Sequence, residues 1–211
     1  MTTKLKDPAS ALTHMSFAVL SIPVTVFLLL LSPHNVVYIV SFAIFGAALF
    51  LLYTASTVYH AVKASEKTQN VLRKIDHMMI FVLISGTYTP ICLIPLFGAW
   101  GFTLLGVVWG MTILGILFKL FWIDAPRWIG TALYVIMGWA VVVAFVPLAD
   151  SIPLGGLVLL ISGGIAYTLG AAIYAFKWPR IKSKVFGFHE VFHIFVMAGS
   201  ALHILLMFLY I

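Results

Sequence analysis

Residues 36–63 read VVYIVSFAIFGAALFLLYTASTVYHAVK. No Asp, Glu, Lys or Arg interrupts this run before Lys63. A helix rising about 1.5 Å per residue crosses a hydrocarbon core of about 30 Å in roughly 20 residues, so 36–62 is long enough to span a bilayer. Six further stretches meet the same standard: 11–31, 75–96, 100–121, 129–148, 154–176 and 188–210. Short turns separate several of them, among them Ser32-Pro33-His34-Asn35, Phe97-Gly98-Ala99 and Asp150-Ser151-Ile152-Pro153. The expected fold is an all-α membrane protein, one seven-helix transmembrane domain over residues 1–211.

Composition agrees with that reading. Of the 211 residues 63% are hydrophobic and 9% charged, against about 45–50% and about 25% in soluble domains. Mean hydropathy is +1.15. A soluble chain of this size exposes too much of itself to hide so much apolar surface. The same numbers exclude a disordered chain and a nucleic-acid-binding domain. With one cysteine, Cys92, no intrachain disulfide can form.

The net charge of +6 matters less than where the charges fall. Lys4 and Lys6 precede the first span, and Lys63, Lys67, Arg73 and Lys74 lie between the second and third. Lys119 and Arg127 flank the connection from the fourth to the fifth, and Lys177, Arg180, Lys182 and Lys184 lie between the sixth and seventh. These are all 12 basic residues, and all belong to one side. By the positive-inside rule the amino terminus is expected in the cytoplasm and the carboxyl terminus outside. The run at 11–31 exceeds a signal-peptide core and lacks a small-residue cleavage site, so a retained anchor is expected.

Several residues describe a scaffold. Gly106 with Gly110 in the fourth span, and Gly163, Gly164 and Gly170 in the sixth, are expected at helix contacts. Pro90 predicts a kink whose freed carbonyl a Thr of Thr87-Tyr88-Thr89 could satisfy. Trp100, Trp122, Trp128 and Trp178 suit interfacial anchors.

Ionisable side chains inside spans are costly and are functional candidates by default. Here they gather on one side. Ser56 and His60 end the second span, Asp76 opens the third, and His189, Glu190 and His193 open the seventh. Ser56 with His60, and His189 with His193, are i, i+4 pairs that share a helix face. Two imidazoles from one helix and one from another make a three-histidine set of the kind Zn²⁺ accepts. Asp76 could then orient a histidine or accept a proton, and Ser56 could supply a hydrogen bond. A lone HxxxH pair is a weak motif, and Asp76 could instead cap the third helix. His34 and His77 are read as structural, His14 as a minor candidate for the site, and Glu190 as a dipole-favoured residue of a helix start. His203 lies about 15 Å along the axis from His193, too far to share its ligand set.

At these residues the chain resembles the hemolysin III family, the bacterial branch of the progestin and adipoQ receptor proteins. The resemblance rests on Ala55-Ser56-Thr57-Val58-Tyr59-His60, Arg73-Lys74-Ile75-Asp76-His77 and Gly86-Thr87-Tyr88-Thr89-Pro90. It continues in Gly98-Ala99-Trp100-Gly101, His189-Glu190-Val191-Phe192-His193 and Ala198-Gly199-Ser200-Ala201-Leu202-His203. It implies a multi-pass bacterial cell-membrane protein with seven helices and its amino terminus inside. It also implies Zn²⁺ on His60, His189 and His193, with Ser56 and Asp76 nearby as catalytic residues. The relatives' similarity to alkaline ceramidases implies a zinc-dependent hydrolase of lipid amides or esters, with a membrane lipid as substrate. One departure is the acidic residue usual before the first span, commonly Glu, for which only Asp7 is available here. The alternatives are a receptor-like or membrane-homeostasis protein with structural zinc, or a pore-forming haemolysin, for which no amphipathic toxin-like segment or polar stripe stands out.

Overall fold

The helices begin and end where local chemistry stops or caps them. The computed structural model describes residues 5–181, 183 and 186–211. Helix α1 (Pro8–Leu31) opens with proline in its first turn, where the missing N–H costs nothing, and stops before Pro33. Helix α2 (Val36–Ala61) is capped by Asn35, whose side chain accepts from the Tyr38 amide at 3.1 Å. Then come α3 (Glu66–Leu93) and α4 (Ala99–Phe121). The fifth span holds α5 (Arg127–Gly138), a 3₁₀ turn (Ala140–Ala144) and α6 (Phe145–Ser151). Helices α7 (Leu154–Phe176) and α8 (Phe188–Tyr210) complete the seven spans. The described residues form no strand.

Two spans depart from expectation. The third begins at Glu66, not 75, because Ser65 caps it by accepting from the Thr68 amide and Glu66 favours its positive end. Hydropathy could not register this polar extension. It is pinned by Arg73, which donates to Asp124 at 2.6 Å, and by Lys74, which donates to the Leu120 carbonyl at 2.7 Å. Asp76 therefore lies well inside α3 and does not cap it. The fifth span, expected unbroken over 129–148, interrupts its α-helix at Trp139. Val141, Val142 and Val143 are β-branched, and Pro147 can offer no amide to the Val143 carbonyl. Tyr88 of α3 repairs the gap: its hydroxyl donates to Gly138 O at 2.7 Å and accepts from Val141 N at 2.9 Å.

In sequence order, α1 packs on α2, α2 on α3 and α3 on α4, while α7 packs on α8. Contact between α1 and α8 closes the ring, with α3 the most buried span. Large apolar side chains such as Leu12, Leu30, Ile113, Leu114 and Leu209 face outward, as a lipid solvent requires. Trp100, Trp122, Trp128 and Trp178 are exposed near span ends, as expected of anchors.

The glycine expectations divide. A Cβ on Gly106 or Gly110 would meet nothing within 4 Å, so their motif makes no close helix contact among the described residues. Gly163 and Gly170 do serve close packing of α7 on α8: a Cβ at Gly163 would overlap the His203 ring, and one at Gly170 would sit 3.0 Å from Phe195 Cβ. At Pro90 α3 stays helical, and Thr87 and Thr89 donate to the carbonyls of Leu83 and Ser85, not to the carbonyl that Pro90 frees.

The described basic residues mark one end of the bundle. Lys6 donates to Gln69 at 3.1 Å, Arg73 pairs with Asp124, and Arg127 lies 5.3 Å from the Tyr174 ring centre. Lys4, Lys182 and Lys184, used in the orientation argument, lie outside the described residues.

Candidate metal centre

At this basic end α1, α2, α3 and α8 present polar side chains to one another. His60, His189 and His193 each bring a ring nitrogen into a group lying within 4.8 Å of one another. The i, i+4 spacing on α8 does what the sequence pattern requires, placing His189 and His193 together with ring centres 4.6 Å apart. His60 reaches them from the last turn of α2. His60 Nε2 and His189 Nε2 stand 3.2 Å apart. Two bare lone pairs at that distance repel, so a proton or a cation must lie between them. Zinc–nitrogen bonds of about 2.0–2.1 Å in a tetrahedron place ligand atoms about 3.4 Å apart. The donor set suits such an ion, and the His60–His189 pair stands close to that spacing.

Asp7 holds the first of these rings. Its carboxylate accepts from His60 Nδ1 at 3.0 Å, which leaves Nε2 to carry the lone pair toward His189. The backbone fixes the pairing, since Asp7 N donates to His60 O at 2.8 Å and Lys6 N to Ala61 O at 3.2 Å. The acidic position before the first span thus keeps a role with aspartate in place. Asp76, which the sequence offered as a possible orienter of a histidine, leaves that contact to Asp7. It is buried in α3, close to Ser56 and His60. Asp76 and Ser56 thus share the neighbourhood of the histidine group.

His14, weighted lightly in the sequence, lies at the centre of this cluster. Its ring stacks on His193, with centroids 3.6 Å apart and planes at 12°, and Tyr53 meets it edge-on at 5.0 Å. Both His14 nitrogens are buried with no hydrogen-bond partner among the described residues. His193 Nδ1 is likewise buried without a hydrogen-bond partner among the described residues. A signal for this face was present: Ser10, Ala11, His14, Ala18 and Ser21, all buried, interrupt large apolar residues at helical spacing.

The remaining candidates separate. Glu190 is a clamp: Ser10 Oγ donates to it at 2.6 Å and the Gly187 amide at 2.7 Å, tying α1 to the start of α8. His203 donates through Nδ1 to Gly199 O at 2.8 Å and stacks on Tyr167, outside the ligand group. His34 is exposed in the turn after α1. His77 is half-buried on the cavity wall with Nδ1 unpartnered among the described residues.

All three histidines and Asp76 open onto one cavity of about 1170 Å³. Ligand pockets commonly hold about 300–1,000 Å³, so this one can take a long chain. Its deeper wall is apolar, with Leu83, Ile84, Ile91 and Leu160. Val142 and Val146, beside the break in the fifth span, line it yet are 56% and 70% exposed. The cavity therefore reaches the lipid-facing surface there.

Comparison with known proteins places the whole arrangement. The family model described as Haemolysin-III related matches residues 2–204. The chain is 40% identical over 203 residues to "Hemolysin-3 homolog" of Bacillus subtilis (strain 168), covering 95% of this chain and 92% of that protein. It is 37% identical over 205 residues to "Hemolysin-3" of Bacillus cereus, covering 96% and 90%. Seven apolar spans and a match along nearly its whole length make this chain a multi-pass bacterial membrane protein of the hemolysin III family.

Proposed function

We propose that the protein is a metal-dependent hydrolase of lipid amides or esters, with Zn²⁺ as its ion. One observation carries this reading: three histidine nitrogens converge on the wall of a large, mostly apolar cavity beside a buried carboxylate. His60, His189 and His193 would hold the ion. Bound zinc supplies Lewis-acid chemistry, polarising a carbonyl and making water acidic enough to attack near neutral pH.

The chain's own residues do the rest. Asp7 fixes the His60 tautomer by accepting its Nδ1 proton. Asp76 takes the proton released as water attacks and passes it to the leaving amine or alkoxide. Ser56, close to Asp76, would donate to its carboxylate and hold it in one orientation. The apolar wall takes the acyl chain, which enters from the bilayer beside Val142 and Val146. Purified, zinc-replete protein incubated with long-chain N-acyl amides and esters should release free fatty acid. Absence of turnover across such a panel would leave the ion a structural role, as in a receptor-like or membrane-homeostasis protein.

The relatives' printed names support a second reading, a haemolysin. Lysis of erythrocytes by wild type but not by His60→Ala would favour a site-dependent cytolysin, whereas equal lysis by both would detach that activity from the site. We place the basic end in the cytoplasm by the positive-inside rule. A cysteine added after Ile211 should then react with an impermeant thiol reagent in intact cells, and reaction only after permeabilisation would reverse the orientation.

A further inference from the structure

Lys119, in the last turn of α4, plays no part in the chemistry above. It is 6% exposed and lines the cavity. A buried ammonium needs an acid, an exit to water or an anionic ligand. Among the described residues the ion pairs join Asp7 to Lys6 and His60, and Asp124 to Arg73; none reaches Lys119. Its head group opens into the cavity, where no carboxylate of the described residues pairs with it. The ammonium lies against α5, where a Cβ on Gly130 would come within 2.7 Å of Nζ. Glycine at that position leaves the head group its place. The neighbours of Nζ are ring faces, Phe118 at 5.1 Å and Tyr134 at 5.9 Å, which ease a cation but do not neutralise it. Two further cations line the same cavity. Arg73 holds the exposed Asp124, and Arg127 lies over the rings of Tyr174 and Phe188.

We propose that Lys119, flanked by Arg73 and Arg127, is the subsite for the anionic head group of a single-chain amphiphile. Its carboxylate or phosphate meets the ammonium, and its alkyl chain lies along the apolar wall of the same cavity. The proposal rests on the functional reading only in placing a lipid there. It narrows the substrate or product to a lipid bearing negative charge. The acyl carboxylate released by amide or ester hydrolysis has that chemistry.

The test measures binding and needs no turnover, so it stands whether or not the protein is a hydrolase. Full-length protein in phosphatidylcholine nanodiscs is titrated with dodecyl phosphate, dodecanoate, neutral dodecanol and inorganic phosphate. Wild type should bind the two anionic amphiphiles roughly tenfold or more tightly than dodecanol, the size of one buried charged hydrogen bond. Lys119→Met, similar in length and without the charge, should lose that preference, and Lys119→Arg should keep most of it. If Lys119→Met does not fold, Lys119→Gln carries the same comparison. Equal binding of charged and neutral chains by wild type would overturn the proposal, as would a preference retained without the lysine. Inorganic phosphate binding as tightly as dodecyl phosphate would mark a free-anion site and overturn the amphiphile.

Discussion

Two walls of the same cavity are built on opposite plans. On one, α2 and α8 run unbroken, and their histidines are held by contacts from α1: Asp7 to His60, His14 stacked on His193, Ser10 to Glu190. On the other, the fifth span breaks at Trp139, where Tyr88 and a Trp139–Thr168 hydrogen bond of 2.9 Å brace it. Side chains meant to hold an ion within a fraction of an ångström belong on rigid elements with supporting contacts. Backbone that leaves the helix inside a membrane must have its polar groups satisfied by protein or a cavity, as Tyr88 and this cavity do. One wall fixes donors in place; the other makes room and an opening.

The largest expected effect would break the first wall. His60→Ala, His189→Ala and His193→Ala should each remove most of the bound zinc and lower the melting temperature of zinc-loaded protein, because metal affinity adds to folded-state stability. His34→Ala and His203→Ala should leave zinc close to stoichiometric by elemental analysis. Equal zinc in all five variants would put the site elsewhere.

Next in size is a change that spares the donors. Asp76→Asn is nearly isosteric and should keep the zinc, yet reduce hydrolysis of a lipid amide by about 10²–10⁴-fold. Full activity in zinc-loaded Asp76→Asn would remove Asp76 from the chemistry. Asp7→Asn should weaken zinc affinity by about 10–100-fold, the usual cost of losing a carboxylate behind a histidine ligand. Unchanged affinity would make the 3.0 Å contact with His60 incidental to metal binding.

The smallest effect belongs to the second wall. Tyr88→Phe strips both hydrogen bonds from the break, at about 0.5–1.5 kcal/mol each for typical net values. Zinc content should stay at the wild-type level while thermal stability falls. A parallel loss of zinc would show that the two walls are coupled, and the contrast between them would fail.

Taken alone, the sequence determined the class of the molecule and the number of its spans. Hydrocarbon thickness imposes a length of apolar chain that a reader can count, and basic residues such as Lys63, Arg73 and Arg127 mark the shared end of the helices. Helical periodicity also paired Ser56 with His60 and His189 with His193. Tertiary structure decided which partners met across helices. That Asp7 rather than Asp76 backs His60, that His14 stacks on His193 and that Lys119 faces Gly130 depend on how separate helices rotate and pack. Two local expectations failed for the same reason. Hydropathy sees neither the polar first turns of α3, held by Ser65 and Arg73, nor a hydroxyl from Tyr88 that lets the fifth span break. Spacing along one helix is written in the chain, whereas the azimuth of one helix against another is set by side-chain packing and by contacts between residues far apart in sequence.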